Sequence, residues 1–549
     1  MDGFSNMLAG LQGIMSLANM GWLFLGVTLG MIVGIFPGLG PTAGIAILLP
    51  ITLGMDSTAA IIMLAAIYYG SMYGATVTAI LINTPGAAAV VASTFDGYPL
   101  ARQGRAAPAL VMQAVASFVG GTVGVIAITF MLPVFGRLAR SFGPAEYLLV
   151  VTMGLLTLIL LLGDQRVKGV ISALIGFAIA SAGVDLGTGS TRFTFGTAEL
   201  LSGVNFVPVA IGLFGIGEIF YVMYLGSHRN AYEVLSATNG GKKKEFWPSK
   251  KDFKDSGRAY GMGSVIGFVL GVIPGAGATI ASLVAYSVER SLSKMKSMFG
   301  KGAMPGLVAP ETANNASSAG AMIPLLTLGI PGSASTAVLL GAFILWGLQP
   351  GPLLMVQEPA FAWGLIGSMY LGNLMLVAIC IAGIPLFAAV LRVPYRILLP
   401  NIVVLCAIGA FAVRSSRIEL WLALVFGIVG FLMKLYGYSP AATVVALVLA
   451  PLAERSLRQT AIVSDGNPLW VWERPIARIL VITLVLILMA KPLSMLFRRL
   501  LGRTSAGRAV SAVVSSVEDF ALSDAGDEGI AGPGSERRER PSEPDDGGR

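Results

Sequence analysis

Gly34-Ile35-Phe36-Pro37-Gly38-Leu39-Gly40-Pro41-Thr42 returns 237 residues later as Gly271-Val272-Ile273-Pro274-Gly275-Ala276-Gly277-Ala278-Thr279. Gly, Pro, Gly, Gly and Thr all recur at the same relative positions. A second block follows each copy. Ser71, Gly74, Ala75, Pro85 and Gly86 return as Ser317, Gly320, Ala321, Pro331 and Gly332, now at an offset of 246. The nine extra residues fit a longer polar segment around Lys294 to Met304. Two blocks in one order and nearly in register mark an internal duplication.

Each block lies in an apolar run, and each must break its helix. Proline removes a backbone donor and clashes with the preceding turn, while clustered glycines remove the side chains that favour helix. Unwound backbone in hydrocarbon leaves N–H and C=O groups unpaired unless it is buried in protein or lines a wet cavity. Matching Gly/Pro interruptions in two halves point to the site of a secondary transporter. There, half-helix N-termini face an anion and free carbonyls face a cation. A lone Gly or Pro in a membrane helix would serve packing or a kink. Duplicated blocks favour function.

Composition agrees. Of 549 residues, 55% are hydrophobic and 12% charged, and the mean hydropathy is +0.79. Charge at half the ordinary soluble level cannot cover a water-soluble globule of this size. That excludes a soluble enzyme, a disulfide scaffold and a disordered chain. A β-barrel would not need long apolar runs. The expected fold is an all-α polytopic membrane protein with two inverted repeats, broken or re-entrant helices and roughly 11–13 transmembrane segments.

The charges divide the chain. Residues 1–21 carry Phe4, Met7, Leu8, Leu11, Ile14 and Met15 at helical spacing, as in an N-terminal interfacial amphipathic helix. They contain no Lys or Arg, and no cleavage site follows, so the first span is expected to stay in the mature protein. Residues 22–226 form membrane repeat 1 and 260–497 membrane repeat 2 plus an extra C-terminal helix. Between them, 227–259 is a basic loop with Lys242, Lys243, Lys244, Lys250, Lys251 and Lys254, cytoplasmic by the positive-inside rule. An odd number of crossings in the first repeat then places the N-terminus outside. Arg102 and Arg105 mark another cytoplasmic loop. Residues 498–549 form a disordered cytoplasmic tail, low in apolar content.

The polar residues beside the breaks are the candidate substrate ligands. They are Gly38, Gly40, Thr42, Asn83, Thr84 and Gly86 in the first half, then Gly275, Gly277, Thr279, Asn314, Asn315, Gly332, Ser333 and Ser335 in the second. Backbone N–H groups at 38–40, 86–87, 275–277 and 332–333 would hold substrate carboxylates, with neutral side chains adding hydrogen bonds. The run Glu311-Thr312-Ala313-Asn314-Asn315-Ala316-Ser317-Ser318 is very polar for a membrane segment. The bland alternative is a loop at the membrane surface. Glu311, Glu218 and Ser317 are candidates for the coupling ion; Glu218 could equally be a buried ion-pair partner. Asp56, Asp96, Asp164, Asp185, Glu199 and Glu289 fall at span ends, where solvation is the ordinary explanation.

No metal site, nucleotide loop or nucleophile–histidine set is present in the pattern, since the one histidine, His228, lies in the basic loop. Cys380 and Cys406 sit in apolar stretches and suggest no disulfide framework. The chain is read as neither an enzyme nor a nucleic-acid binder.

Several long motifs, in order, resemble one known family: GIFPGLGPTAGIAILLPITLGM (34–55), YYGSMYGATVTAILINTPG (68–86), DGYPLARQGRA (96–106), GVIPGAGATIASLVAYSVER (271–290) and APETANNASSAGAMIPLLTLGIPGS (309–333). The chain is similar to the large membrane subunit of the tripartite tricarboxylate transporter family over nearly all of residues 1–497. The resemblance implies a secondary transporter of the bacterial inner membrane that imports small carboxylates such as citrate. It also implies a small four-helix membrane subunit, a periplasmic substrate-binding protein and coupling to a cation gradient, Na⁺ or H⁺, with no other cofactor. A passive anion channel, another organic-anion carrier and a non-transporting scaffold are the alternatives. Thr84-Pro85-Gly86-Ala87-Ala88-Ala89 is more apolar than the Ser/Thr-bearing family version, which suggests an altered first half-site.

Overall fold

The computed structural model describes residues 8, 10 and 12–501, apart from 161–164, 186, 226–245, 276, 352–353, 385 and 387–394. His228, Asp164, the Lys242–Lys244 run, the tail after 501 and most of the expected N-terminal helix lie outside the described residues.

The chain is an all-α polytopic membrane protein. In order, the helices are α1 (Leu17–Ile35), α2 (Gly40–Leu48), α3 (Ser57–Ile82), α4 (Val91–Leu100), α5 (Ala106–Ala139), α6 (Pro144–Leu160) and α7 (Arg166–Ala180). A two-residue hairpin pairs Gly183–Val184 with Thr191–Arg192, and α8 (Phe206–Tyr224) follows. Next come α9 (Gly257–Val272), α10 (Gly277–Leu292), α11 (Met304–Gly320), α12 (Met322–Leu328) and α13 (Ala334–Leu345). The last are α14 (Pro359–Ala382), α15 (Tyr395–Ala412), α16 (Arg417–Leu435), α17 (Pro440–Val463) and α18 (Pro475–Leu501). Seven helical stretches among the described residues are long and apolar enough to cross a bilayer. The shorter ones include α2 and α13, which start at the interruptions.

Local chemistry sets the ends. Ser16 caps α1 by accepting from the Asn19 N–H, so the first long helix begins at Leu17 rather than near residue 22. Asp56 caps α3 through the N–H groups of Thr58 and Ala59. Prolines occupy the first turns of α2, α11, α14 and α17, where their missing donor is harmless.

The packing repeats with the sequence. On α1, a Cβ at Gly26, Gly30 or Gly34 would overlap the backbone at Met63, Ile67 or Ser71 of α3. On α9, Gly263, Gly267 and Gly271 stand in the same way against Ala309, Ala313 and Ser317 of α11. These are the offsets of 237 and 246 again. Glycines four apart let the two helices of each pair touch backbone to backbone, which is how membrane helices gain van der Waals contact. The helices α3 and α11 are thereby the central rods, and both are deeply buried. The Glu311–Ser318 run is therefore a buried stretch of helix, not a surface loop.

Three of the carboxylates expected to be solvated are instead buried and held. The Asp96 Oδ1 accepts from the N–H groups of Gly300, Gly302 and Ala303 at 2.9, 2.8 and 2.7 Å. It thus pins the loop that leads into α11 from another helix. Glu289 takes two hydrogen bonds from Arg258. Asp185 is gripped by Arg458 and Arg192. A carboxylate at a helix end meets unpaired N–H groups or a guanidinium there, and charge-assisted bonds to these replace water. Arg105 reaches Asp252 at 2.7 Å, and Gln103 donates to the Lys301 carbonyl. Segments 96–105, 249–258 and 289–303 therefore share one basic rim.

Candidate functional site

The four interruptions adopt two backbone designs, each used twice. At the first and third, the helix ends on an extended residue, Phe36 (φ −82°, ψ 118°) or Ile273 (φ −77°, ψ 115°). Two left-handed glycines follow, Gly38 (φ 90°) and Gly40 (φ 52°), matched by Gly275 (φ 86°) and Gly277 (φ 64°). Glycine takes all four angles without strain, and at φ 90° and 86° other residues do not, which is consistent with the repeat preserving both. At the second and fourth, α3 ends on left-handed Asn83 (φ 53°) and α12 on left-handed Gly329 (φ 68°). The next helical segments start after extended Ala87 (φ −150°) and Ser333 (φ −157°).

The four segments adjoin one another. The Gly40 position stands 3.7 Å from Gly86 and Ala87, measured from where a Cβ would sit. The Gly275 N–H donates to the Gly332 carbonyl at 3.0 Å. Across the halves, Thr42 and Ser335 share a 2.8 Å hydroxyl–hydroxyl bond, and the Ser282 hydroxyl donates to the Ala89 carbonyl at 2.7 Å. First meets second, third meets fourth, and each half touches the other. Helix starts at 40, 277 and 334 thus converge, and each contributes N–H groups with partial positive charge.

The amides expected to bind anions are not all free. The Gly86 N–H is engaged by the Ala75 carbonyl, Gly275 by Gly332, and Ser333 by the Thr336 hydroxyl. These three hold the breaks in shape instead, because an unwound segment must satisfy its own backbone first. The N–H groups of Gly38, Gly40, Ala87 and Gly332 have no acceptor among the described residues. Gly38 is exposed, and the Thr42, Thr279 and Ser333 side chains are half-buried.

The side-chain candidates separate similarly. Asn83 is exposed at its helix end, and the Thr84 hydroxyl turns back to the Ile82 carbonyl. Asn315 donates to the Glu311 carbonyl one turn earlier. Asn314 is fully buried, yet among the described residues neither amide atom has a partner, and the Ser317 hydroxyl also lacks one. Unpaired buried polar atoms are costly, so these two groups are the ones left open for something else.

The two acidic candidates have different surroundings. Glu218 is ion-paired with Lys434, and its Oε1 stands 2.9 Å from where a Gly38 Cβ would sit. It thus braces the first break as one half of a charge pair. Glu311 has no cationic partner among the described residues. It accepts from Thr76 at 2.9 Å, from Ser117 at 3.3 Å and from Ser93. Lys434, Thr76, Ser93, Ser117, Ser282 and Tyr68, whose hydroxyl lies against Ser333, were not among the sequence candidates. Lys434 could have been flagged, being a cation within the apolar run of α16. Tyr68 could have been found by the 246-residue offset, which maps it onto Asn314.

A separate cavity of about 150 Å³ lies behind Pro274, lined by Phe135, Val150, Ile323 and Leu328. It gives an anion no polar partner.

Residues 20–445 match the family described as the tripartite tricarboxylate transporter TctA family. The chain belongs to that family. The TctA-family chain is 41% identical over 478 residues to an uncharacterized 52.8 kDa protein in the TAR-I ttuC' 3' region of Agrobacterium vitis, covering 87% of this chain and 94% of the relative. It is 43% identical over 211 residues to an uncharacterized protein in the TAR-II ttuC' 3' region of the same organism, covering 38% of this chain and 87% of the relative. No solved structure matches. Membership makes this a multi-pass subunit of a tricarboxylate transporter family, a transporting rather than enzymatic one, within a tripartite system that implies partner subunits.

Proposed function

We propose that this chain is the large transmembrane subunit of a binding-protein-dependent secondary transporter. It imports small di- and tricarboxylates, citrate-like in size, across the bacterial inner membrane by cation symport. A periplasmic substrate-binding protein delivers the substrate, and a small four-helix membrane subunit completes the complex. The two halves act as inverted repeats that rock around a shared central site, with the basic rim facing the cytoplasm.

The observation that carries the reading is the convergence of four unwound segments joined across the halves by the Thr42–Ser335 bond. Free N–H groups at Gly38, Gly40, Ala87 and Gly332, with the hydroxyls beside them, suit substrate carboxylates. Dipoles hold an anion without a fixed cation, so release stays fast. The test is uptake into proteoliposomes holding all three components, across a carboxylate panel, with Na⁺ or pH gradients. Saturable uptake that vanishes when the cation gradient is collapsed supports the reading. Unsaturable, gradient-independent flux would mean a channel, and no flux with any carboxylate would mean a scaffold; either overturns it.

A further inference from the structure

Resting on the symport reading above, we propose that the Glu311 carboxyl, in its cage of Thr76, Ser93 and Ser117 hydroxyls, is the single carrier of the coupling cation, and that this cation is a proton. Glu311 is 0% exposed. Its Oε2 is bonded by Thr76 and Ser117 and its Oε1 by Ser93, so three different helices, α3, α4 and α5, close on one side chain of α11. An ionised carboxylate so placed, with no cation beside it among the described residues, carries a large desolvation cost that taking up a proton removes.

The groups facing it bear this out. From α3 come Thr76 and Tyr73, from α4 Ser93, from α5 Gln113 and Ser117, and from α14 Cys380. All are neutral at physiological pH. Of the charged groups on the other packed elements, Asp96 of α4 is engaged on the 300–303 loop, Arg258 of α9 pairs with Glu289 of α10, and Arg290 and Arg137 lie in the last turns of α10 and α5. The hydroxyls touch the carboxyl oxygens directly, which suits a proton shared among oxygens. A metal cation would instead need the oxygens splayed around it.

A buried, hydrogen-bonded carboxyl could simply glue helices. The duplication argues otherwise. The 246-residue offset maps Glu311 onto Ala65, Thr76 onto Met322 and Ser93 onto Leu339, all buried and apolar. The corresponding positions of the other half therefore carry no polar cage. The cage is an addition to one half only, so the site occurs once, and one proton moves per cycle. The proton binds a Glu311 Oε from one side of the membrane and leaves from the same oxygen to the other side. The unpartnered Asn314 and Ser317 lie one and two turns along α11, and the Ser317 carbonyl abuts Gly271, just before the third break. The same helix thus links the proton site to the substrate site.

The test uses the complete three-component transporter in Na⁺-free proteoliposomes, with the membrane potential clamped at zero and both pH values above the carboxylate range. One proton per substrate predicts steady-state accumulation rising about tenfold per pH unit of gradient. In Glu311→Gln, accumulation no longer follows the gradient. Thr76→Val keeps the wild-type slope but moves the pH of half-maximal uptake, which a merely structural hydroxyl would leave in place. A wild-type slope near zero or near a hundredfold, accumulation driven by Na⁺ alone, or an unchanged slope in Glu311→Gln would each overturn the proposal. Should Glu311→Gln not fold, the wild-type slope and the Thr76→Val shift decide. A wild type that moves no carboxylate under any gradient would instead reject the transport reading itself.

Discussion

Replacing Gly277 by alanine tests the break geometry with little confusion from packing. Gly277 opens α10 with φ 64°, and a Cβ there would meet nothing within 4 Å. The whole penalty is conformational. An L-residue held in the left-handed region costs about 1–2 kcal/mol, a factor of roughly 5–30 in population. The chain can accept that strain or return residue 277 to a right-handed conformation. The second course swings the third break and pulls Gly275 off the Gly332 carbonyl, now 3.0 Å away. Initial carboxylate uptake in proteoliposomes should therefore fall on the order of tenfold in Gly277→Ala. Gly277→Asn has a larger side chain in the same open space, yet asparagine tolerates the left-handed region. Its uptake should stay within about threefold of the wild type. Alanine matching the wild type, or asparagine doing worse than alanine, would refute the claim that the left-handed turn is what transport needs.

Gly267→Ala should behave quite differently, because its Cβ would overlap the Ala313 backbone; the yield of folded protein should collapse, as seen by size-exclusion chromatography. Lys434→Met leaves Glu218 buried and unpaired beside Gly38 and should cost about 3–5 kcal/mol. The double variant Glu218→Gln/Lys434→Met should recover most of the thermal stability, whereas no recovery would show that the two do not act as a pair. Asp185 is held well below the usual carboxylate range by Arg458 and then by the Gly187 N–H, with Thr188 and Arg192 adding to this against a smaller opposing effect of burial. Its lowered value means stability that is present above the ordinary carboxylate pKa and is lost as pH falls through the folded one. The melting temperature of the wild type should exceed that of Asp185→Asn at neutral pH, and the gap should narrow progressively below about pH 4. A gap that persists in strong acid would contradict the ion-pair role.

The breaks were legible because proline and glycine act locally. Pro37, Gly38 and Gly40 dictate an interruption whatever surrounds them, and their recurrence at 274, 275 and 277 located its twin. The Glu311 cage was not legible, because Thr76, Ser93 and Ser117 stand 235, 218 and 194 residues from it, and a hydroxyl within a helix has no local signature. Asp96, Glu289 and Asp185 were misread for a related reason. Span ends are where water is available, but also where another segment's bare N–H groups or an arginine can arrive first. The amides of Gly86 and Gly275 looked free in the sequence, since nothing in a Pro-Gly dipeptide tells which carbonyl will fold back to meet it.

Thr42 and Ser335 come from opposite halves, and their hydroxyl oxygens lie 2.8 Å apart. Replacing both with cysteine, in a protein whose own Cys380 and Cys406 are buried, permits an oxidative cross-link across the proposed site. Rapid disulfide formation, with carboxylate uptake abolished on oxidation and restored by reductant, is the expected result. A pair that fails to cross-link in the folded protein, or a cross-linked transporter that still moves substrate at the full rate, would contradict a carboxylate site built where the four unwound segments meet.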